Sequence, residues 1–448
     1  MPEQAEQPLH DYQRFLQSLP DDWGRMEIRQ LGAVVGGGTP SRDVPSFWRG
    51  NIPWVTPGEV SRAPTKFLYE SKEHISASGL TGSGANLLPA GSLLVTTRAT
   101  LGARVINAVP MATNQGFKSI VFKQAMDSNF YIHLFEKVQS ELVRRASGTT
   151  FLEISSAEFA SIVVPSPGAG EKRTISEILD TIDAAIHETE EIIAKLQAVK
   201  QGLLHDLLTR GIDANGELRP LQAEAPHLYK DSPLGWIPKD WDSSALAQAC
   251  SLIRDGTHLP PVRVKDGPLL LSVRNMQNGR FLLTDQDTRV SEAFYRQMHK
   301  SWEILKGDVL LAIVGATIGK TAMVGDMPKF TLQRSVAVLR GNADRLMNEF
   351  LHLYLGSPEF QTHLWGQVNQ TAQPGIYLDQ LGAIEIRVPR KPEQEEIVLR
   401  LQAAMDRIDD ESNLLEKLRR QKAGLMHDLL TGRVRVTPLL AAEQQGIT

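Results

Sequence analysis

The string GATIGKT at Gly315–Thr321 is the closest approach of this chain to a phosphate-binding loop. Such a loop needs four residues between its first glycine and the Gly-Lys pair, so that backbone N–H groups wrap the phosphates before the lysine reaches them. Three stand here, and the matching string RATLGAR at 98–104 has no lysine in the Gly-Lys position. The spacing predicts a turn that carries Lys320, or Arg98 in the matching string, to a surface. VGGGTP at Val35–Pro40 lacks GxGxxG spacing and predicts no cofactor loop. No HExxH or paired-histidine spacing suggests a metal site. His205 and His427 precede Asp206 and Asp428 near helix ends, where capping and packing account for them. An Asp/Asn/Ser-Pro-Pro-aromatic string for amino-methyl transfer is absent, as is a carboxylate cluster for phosphodiester cleavage. An independent enzyme is disfavoured, and no cofactor or metal is expected in this chain.

Composition sets outer bounds. The lone Cys250 excludes an intramolecular disulfide and a Cys-based zinc cluster. The polar start MPEQAEQPLHDYQ is no secretory signal, and runs such as Val309–Val314 are too short to cross a bilayer. A cytoplasmic protein with no membrane partner is expected. The net charge of −4 argues against a nucleic-acid binder until it is divided by segment. Residues 21–150 carry 14 Lys/Arg against 10 Asp/Glu, and 239–391 carry 18 against 15. Residues 151–238 carry 7 against 14, so the acidity lies between two mildly basic blocks. Charge alone remains compatible with an ordinary solvated surface.

The elements that must position these residues occur twice. GLLHDLLTR at Gly202–Arg210 returns as GLMHDLLTGR at Gly424–Arg433. LPDDW (Leu19–Trp23) returns as IPKDW (Ile237–Trp241), and GSLLVTTRATLG (Gly91–Gly102) as GDVLLAIVGATIG (Gly307–Gly319). VVPSPGAGEKRTI (Val163–Ile175) returns as RVPRKPEQEEI (Arg387–Ile397). From Ile175 to Leu207, and again from Ile397 to Leu429, apolar residues alternate spacings of three and four, a heptad seam broken by Thr189, Lys200, Glu411 and Lys422. Pro165, Pro167, Pro389 and Pro392 bar backward extension, and Gly211 and Gly432 are natural stops. Each helix of about 35 residues makes a rod of about 50 Å, and one narrow seam wants one partner. Ahead of each helix, short β-branched strands and turns mix with helical stretches at Ser128–Ala146 and Met347–Trp365, an α+β pattern.

Several strings together resemble the specificity subunit of type I restriction-modification systems: GGGTPSRDVPSFWRGNIPWVTPGEV at Gly36–Val60, IRDGTHLPP at Ile253–Pro261, YKDSPLGWIPKDW at Tyr229–Trp241 and LLTGRVRV at Leu429–Val436. PGAGEKRTI departs from the family's Pro-rich turn and Glu-Gln pair, which KPEQEEI keeps. The resemblance implies an α+β chain of two duplicated target-recognition domains, each followed by a long helix, the two helices pairing as an antiparallel coiled coil. Its expected division is 1–18 polar segment, 19–164 first recognition domain, 165–211 first helix, 212–236 linker, 237–388 second recognition domain, 389–432 second helix and 433–448 tail. It implies a non-catalytic reader of a bipartite, asymmetric site in double-stranded DNA. Methylation subunits and restriction/translocase subunits would dock on it, and S-adenosylmethionine, ATP and Mg would belong to those partners. Polar residues of the motif-flanking loops are the expected DNA contacts: Thr39, Ser41, Arg42, Arg98, Thr100, Asn114, Gln115 and Lys118 in the first domain. In the second they are His258, Arg263, Arg274, Asn275, Thr317, Lys320, Gln333 and Arg334. Trp23, Trp54 and Trp241 are expected to be architectural. The competing expectations are a protein scaffold that binds no nucleic acid and an enzyme whose site is too dispersed for motifs.

Overall fold

The computed structural model describes residues 10–98, 100–147, 152–258, 260–277, 279–369 and 374–444; residues 1–9 of the N-terminal segment and 445–448 of the tail lie outside them. Two compact units result, one of residues 1–192 with 411–448, the other of 193–410. Motif boundaries follow the chain, whereas compactness divides both long helices. Each unit therefore holds one recognition domain and half of each helix.

Among its described residues the first unit contains ten strands: β1 (Gly24–Glu27), β2 (Gly32–Gly36), β3 (Ile52–Val55), β4 (Phe67–Leu68), β5 (Glu73–Ile75), β6 (Leu93–Thr96), β7 (Arg104–Asn107), β8 (Ala112–Thr113), β9 (Phe117–Phe122) and β10 (Val163–Ser166). Five form a sheet in the order β2-β9-β6-β7-β4, and three form a second in the order β5-β3-β8. The strands are short because Gly and Pro punctuate them, and the β6 run LLVT is buried on both faces. The helix Asp127–Arg145 packs Phe130, Leu134, Phe135 and Val138 into the same core. The N-terminal segment is not merely polar. Its helix Asp11–Gln17 buries Tyr12, whose hydroxyl donates to the Val163 carbonyl at 2.8 Å.

The second unit repeats the plan with β11 (Tyr229–Lys230), β12 (Ile237–Pro238), β13 (Asp242–Ala245), β14 (Cys250–Asp255), β15 (Arg263–Leu271), β16 (Met276–Gln277), β17 (Arg280–Phe281), β18 (Thr288–Val290), β19 (Val309–Ala312), β20 (Thr321–Met323), β21 (Phe330–Leu332), β22 (Val336–Gly341) and β23 (Glu385–Val388). Its sheets run β14-β22-β19-β20-β17-β16 and β18-β15-β21. Apart from the extra edge strand β16, these follow the order of the first unit, including the parallel pairs β3 with β8 and β15 with β21. Gly91 and Gly307, and Gly102 and Gly319, share left-handed φ of 84° to 90° at matching turns. The stretch Met347–Trp365 is two helices, Asn348–Leu355 and Pro358–Gln367, because Pro358 cannot continue the first.

The long helices span Ala169–Thr209 and Lys391–Leu430, with Pro392 tolerated in the first turn. Along both, the heptad positions are buried or half-buried while their neighbours are mostly exposed. The pairing is antiparallel in each unit. In the first, Asp183 meets Lys422 at 2.6 Å and Glu190 meets Arg419 at 2.8 Å, one number rising as the other falls. In the second, Leu204, Leu207 and Leu208 share a core with Ile397 and Leu401, and Glu393 accepts from the Ile212 N–H at 2.7 Å.

Candidate nucleic-acid interface

The candidate loops are built by close backbone approach. A Cβ on Gly37 would stand 1.8 Å from the Asn114 carbonyl oxygen, and one on Gly256 would stand 2.1 Å from that of Leu332. Only glycine lets these loops lie against the parallel pair of each domain. The Gly38 N–H then donates to the Thr113 carbonyl at 2.9 Å, and the Thr257 N–H to the Leu332 carbonyl at 2.8 Å. Loop positions after each glycine are thus held alike in both domains while their side chains differ.

In the first domain the structure gathers Thr39, Arg98, Asn114, Gln115 and Lys118 at one end of the five-stranded sheet. The Thr39 hydroxyl donates to Gln115, and Asn114 Oδ1 accepts the Gly116 N–H at 2.8 Å. Arg98 and Lys118 both reach Glu153, at 3.9 and 4.0 Å. Thr100 closes the adjoining turn through its N–H to the Arg98 carbonyl at 2.9 Å. Ser41 and Arg42 lie further along the loop. Arg42 stacks 3.6 Å over the Trp48 ring and grips Glu73, whose carboxyl that bond holds below its usual range. The Ser41 carbonyl accepts from the Trp48 indole at 3.0 Å.

In the second domain Thr257, His258, Gln333 and Arg334 come together. The Arg334 N–H donates to the Thr257 carbonyl at 3.2 Å, and the exposed His258 ring meets Asp255 at 2.7 Å. Arg263 opens β15 of the smaller sheet and Arg274 lies in the short helical turn Val273–Asn275 after it, bonded to the Thr288 hydroxyl at 2.8 Å and the Gln286 carbonyl at 3.0 Å. Asn275 does not reach a surface. It is fully buried, its amide donating to Leu282 and Asp287 at 2.9 Å and its Oδ1 accepting the Ser272 N–H at 3.0 Å, so it holds a turn and is no contact. Burial opposes ionisation of Asp287, yet bonds from Asn275 and Thr284 keep its carboxyl below the usual range. Thr317 and Lys320 end the GATIGKT turn, where the Thr317 carbonyl accepts the Lys320 N–H at 3.1 Å. That turn joins antiparallel strands β19 and β20, whereas a P-loop leads from strand to helix. Arg98 and Lys320 occupy opposite ends of corresponding turns, since Arg98 follows β6 and Lys320 precedes β20.

Sequence motifs missed a duplicated clamp beneath each domain. The Trp23 indole donates to Glu171 at 3.1 Å, and Arg435 bonds Glu171 and Asp22 at 2.9 and 2.8 Å. The Trp241 indole donates to Glu393 at 2.9 Å, with Arg219 at 3.1 Å from Glu393 and 3.4 Å from Asp240. The repeated DDW and KDW strings marked the tryptophans, and LLTGRVRV contains Arg435 without disclosing its partner; nothing marked Arg219, which comes from the linker after the first helix. Trp54 is likewise enclosed, its indole donating to Gly38 at 2.9 Å.

With this geometry in place, the comparisons agree on one kind of protein. The profile of the type I restriction modification DNA specificity domain matches residues 20–198 and 294–420, more than half of the chain. The chain belongs to that family, the specificity subunits of type I restriction-modification systems. The MjaIX specificity subunit of Methanocaldococcus jannaschii is 23% identical, with 94% of this chain and 95% of that one aligned. The EcoBI specificity subunit of Escherichia coli is 24% identical over 89% of this chain and 83% of its own. The solved S subunit from M. genitalium shares the fold at a TM-score of 0.55 and 14% identity, covering 91% of this chain and 96% of that one. The expectation of a scaffold unrelated to nucleic acid gives way to this membership.

Proposed function

We propose that each recognition domain reads one half of a bipartite, asymmetric site in double-stranded DNA. The observation that carries this is the pair of matched loops: identical anchoring at Gly37 and Gly256, different side chains beyond them. One scaffold used twice with different polar groups suits two different half-sites. Arg98, Gln115 and Lys118 lead the first set; His258, Gln333 and Arg334 lead the second. Thr39, Ser41, Arg42 and Asn114 line the first-domain loops, and Thr100, Arg263, Arg274, Thr317 and Lys320 sit on neighbouring strands and turns, several of them already engaged within the protein and so oriented before contact. Lysine and arginine to phosphates supply affinity, while bidentate Arg to guanine and Gln to adenine supply sequence.

The chain itself carries out no bond chemistry in this proposal. Methylation subunits and restriction/translocase subunits dock on it and bring S-adenosylmethionine, ATP and Mg. Among the described residues no group of acidic, His or Cys side chains could hold a metal, and no helix is long and apolar enough to cross a membrane. We infer that the chain acts on DNA in the cytoplasm.

The test is methylation mapping of the chain with its methylation subunit, wild type against Arg98→Ala and Arg334→Ala. Each variant should relax one half-site only, at about 1–3 kcal/mol if a base contact is lost. Binding should also weaken steeply with salt. Loss spread equally over both halves by either variant would overturn the assignment of one domain to one half.

A further inference from the structure

The two units part company where each domain's helix meets the long-helix pair. In the first unit that meeting is closed by charge. His133 lies 2.9 Å from Asp180, Lys66 lies 2.6 Å from the same carboxylate, and Lys422 lies 2.6 Å from Asp183. At the repeat offset, His133 corresponds to His352, Lys422 to Lys200, and the acids Asp180 and Asp183 to Gln402 and Met405. The second unit keeps the histidine and the helix lysine and lacks both carboxylates.

A cleft of about 620 Å³ stands there, with Lys200, Lys320, His352, Gln277, Met276 and Met405 in its lining. Among the described residues, no ion pair engages Lys200 or Lys320, and His352 Nε2 is enclosed without a hydrogen-bond partner. Burial, and then the charge of Lys200, push the His352 imidazole below its usual value, leaving a neutral ring with one donor and one acceptor nitrogen. Lys320 is exposed, but Lys200 is half-buried; leaving such a lysine without a counter-charge is costly, and an incoming anion relieves that cost. The volume falls within the range of about 300–1,000 Å³ usual for small-molecule sites. Two methionines offer a soft, polarizable face for a ring.

We propose that this cleft binds a phosphate ester of nucleotide size, its phosphate held by Lys200 and Lys320 and its base lying against Met276 and Met405. A free mononucleotide and a DNA backbone share the phosphate chemistry; the methionine side chains among the lining favour the free nucleotide. Lys200 and Met405 belong to the long helices, whereas Lys320 is also an expected DNA contact, so the duplex-DNA arm below separates the two readings.

Equilibrium binding of ATP to the full-length protein tests it, with inorganic phosphate as competitor. Met405→Asp supplies the carboxylate that the first unit has at this place, and Lys200→Gln removes a phosphate ligand. Saturable ATP binding to the wild type is expected, weakened roughly tenfold or more by each substitution and unchanged in Lys422→Gln. Thermal midpoints matching the wild type tie the loss to the cleft. Phosphate should compete poorly, and competition equal to that of AMP would overturn the role of the methionines. No ATP binding at millimolar concentration, or full binding by Met405→Asp, overturns the proposal. If ATP fails to bind while Met405→Asp lowers affinity for duplex DNA, the cleft is a backbone-phosphate contact and the free-nucleotide assignment falls.

Discussion

Glu393 accepts the indole N–H of Trp241 at 2.9 Å, and the same carboxylate holds Arg219. One side chain thus ties the entry to the second domain, the first turn of the second long helix and the linker that follows the first. Glu171 does the same for Trp23 and Arg435 in the first unit. The two clamps differ in backing, because Arg435 is held by a doubly bonded Asp22 while Arg219 meets Asp240 only at 3.4 Å.

Glu393→Ala should therefore be the more damaging of the two substitutions. It strands the nearly buried Arg219 and a buried indole N–H, a loss of about 3–5 kcal/mol. Glu171→Ala leaves Arg435 its pair with Asp22 and should cost less. Urea unfolding of both variants measures this, and equal losses would show that Asp22 offers no backing.

Acid sensitivity should trace to Asp180. Burial pushes its carboxyl up, but bonds from His133 and Lys66 outweigh that and hold it below the ordinary range. A depressed folded value means the stabilisation is complete above the unfolded value, about 3.9, and disappears as pH falls through the folded one. Urea midpoints from pH 7 to pH 3 should drop for the wild type below about pH 4. Asp180→Asn lacks this contribution at every pH, so its profile should start lower and fall less. Parallel profiles would remove Asp180 from the acid response.

What the sequence disclosed follows from range. The heptad seams were legible because a period of three and four shows within one helix, and Gly211 and Gly432, at φ of 65° and 67°, end those helices as their type suggested. The matched hairpins were legible because Gly91, Gly102, Gly307 and Gly319 mark positions only glycine tolerates. Asn275 misled, since a polar residue beside Arg274 looks like a contact until its buried partners Leu282 and Asp287 are seen. Arg219 carries no local pattern and LLTGRVRV does not disclose what Arg435 holds, because their partner carboxylates lie 174 and 264 positions away. The cleft at Lys200 was visible only as a polar break in a seam; that Met405 replaces an acid there needs the pairing register.

The register also says where to lengthen the coil. In the second unit Leu204 shares a core with Leu401, and Lys200 and Met405 line one cleft, so Leu196 stands opposite Ile408. Seven residues inserted after each of these two preserve heptad phase and add about 10 Å. Methylation mapping with the partner subunit should find a spacer longer by about 3 bp, at roughly 3.4 Å per step, with both half-sites unchanged. An active protein with its original spacer would show that the coil is not the ruler.

The clamp also decides how a half-length chain should behave. The core of the first unit is completed by Met426, Leu429 and Leu430 from the far end of the second helix. The corresponding residues of the first helix are Leu204, Leu207 and Leu208, so a second copy of the N-terminal half carries what the first copy has lost. Their burial against an identical antiparallel partner recovers about 25 cal/mol per Å² of apolar surface and yields a two-fold pair. A fragment ending near residue 215 has the seam but stops short of Arg219, the counterpart of Arg435. A fragment continued to about residue 225 regains the arginine, which can reach Glu171 of the other copy. Both fragments should dimerise in sedimentation at tens of micromolar, the longer with the higher thermal midpoint. With the methylation subunit, either should modify the first half-site followed by its own inverted repeat. A folded monomer would refute the mimicry of a two-fold dimer by one duplicated chain, and equal midpoints would show that the arginine clamp does not form between copies.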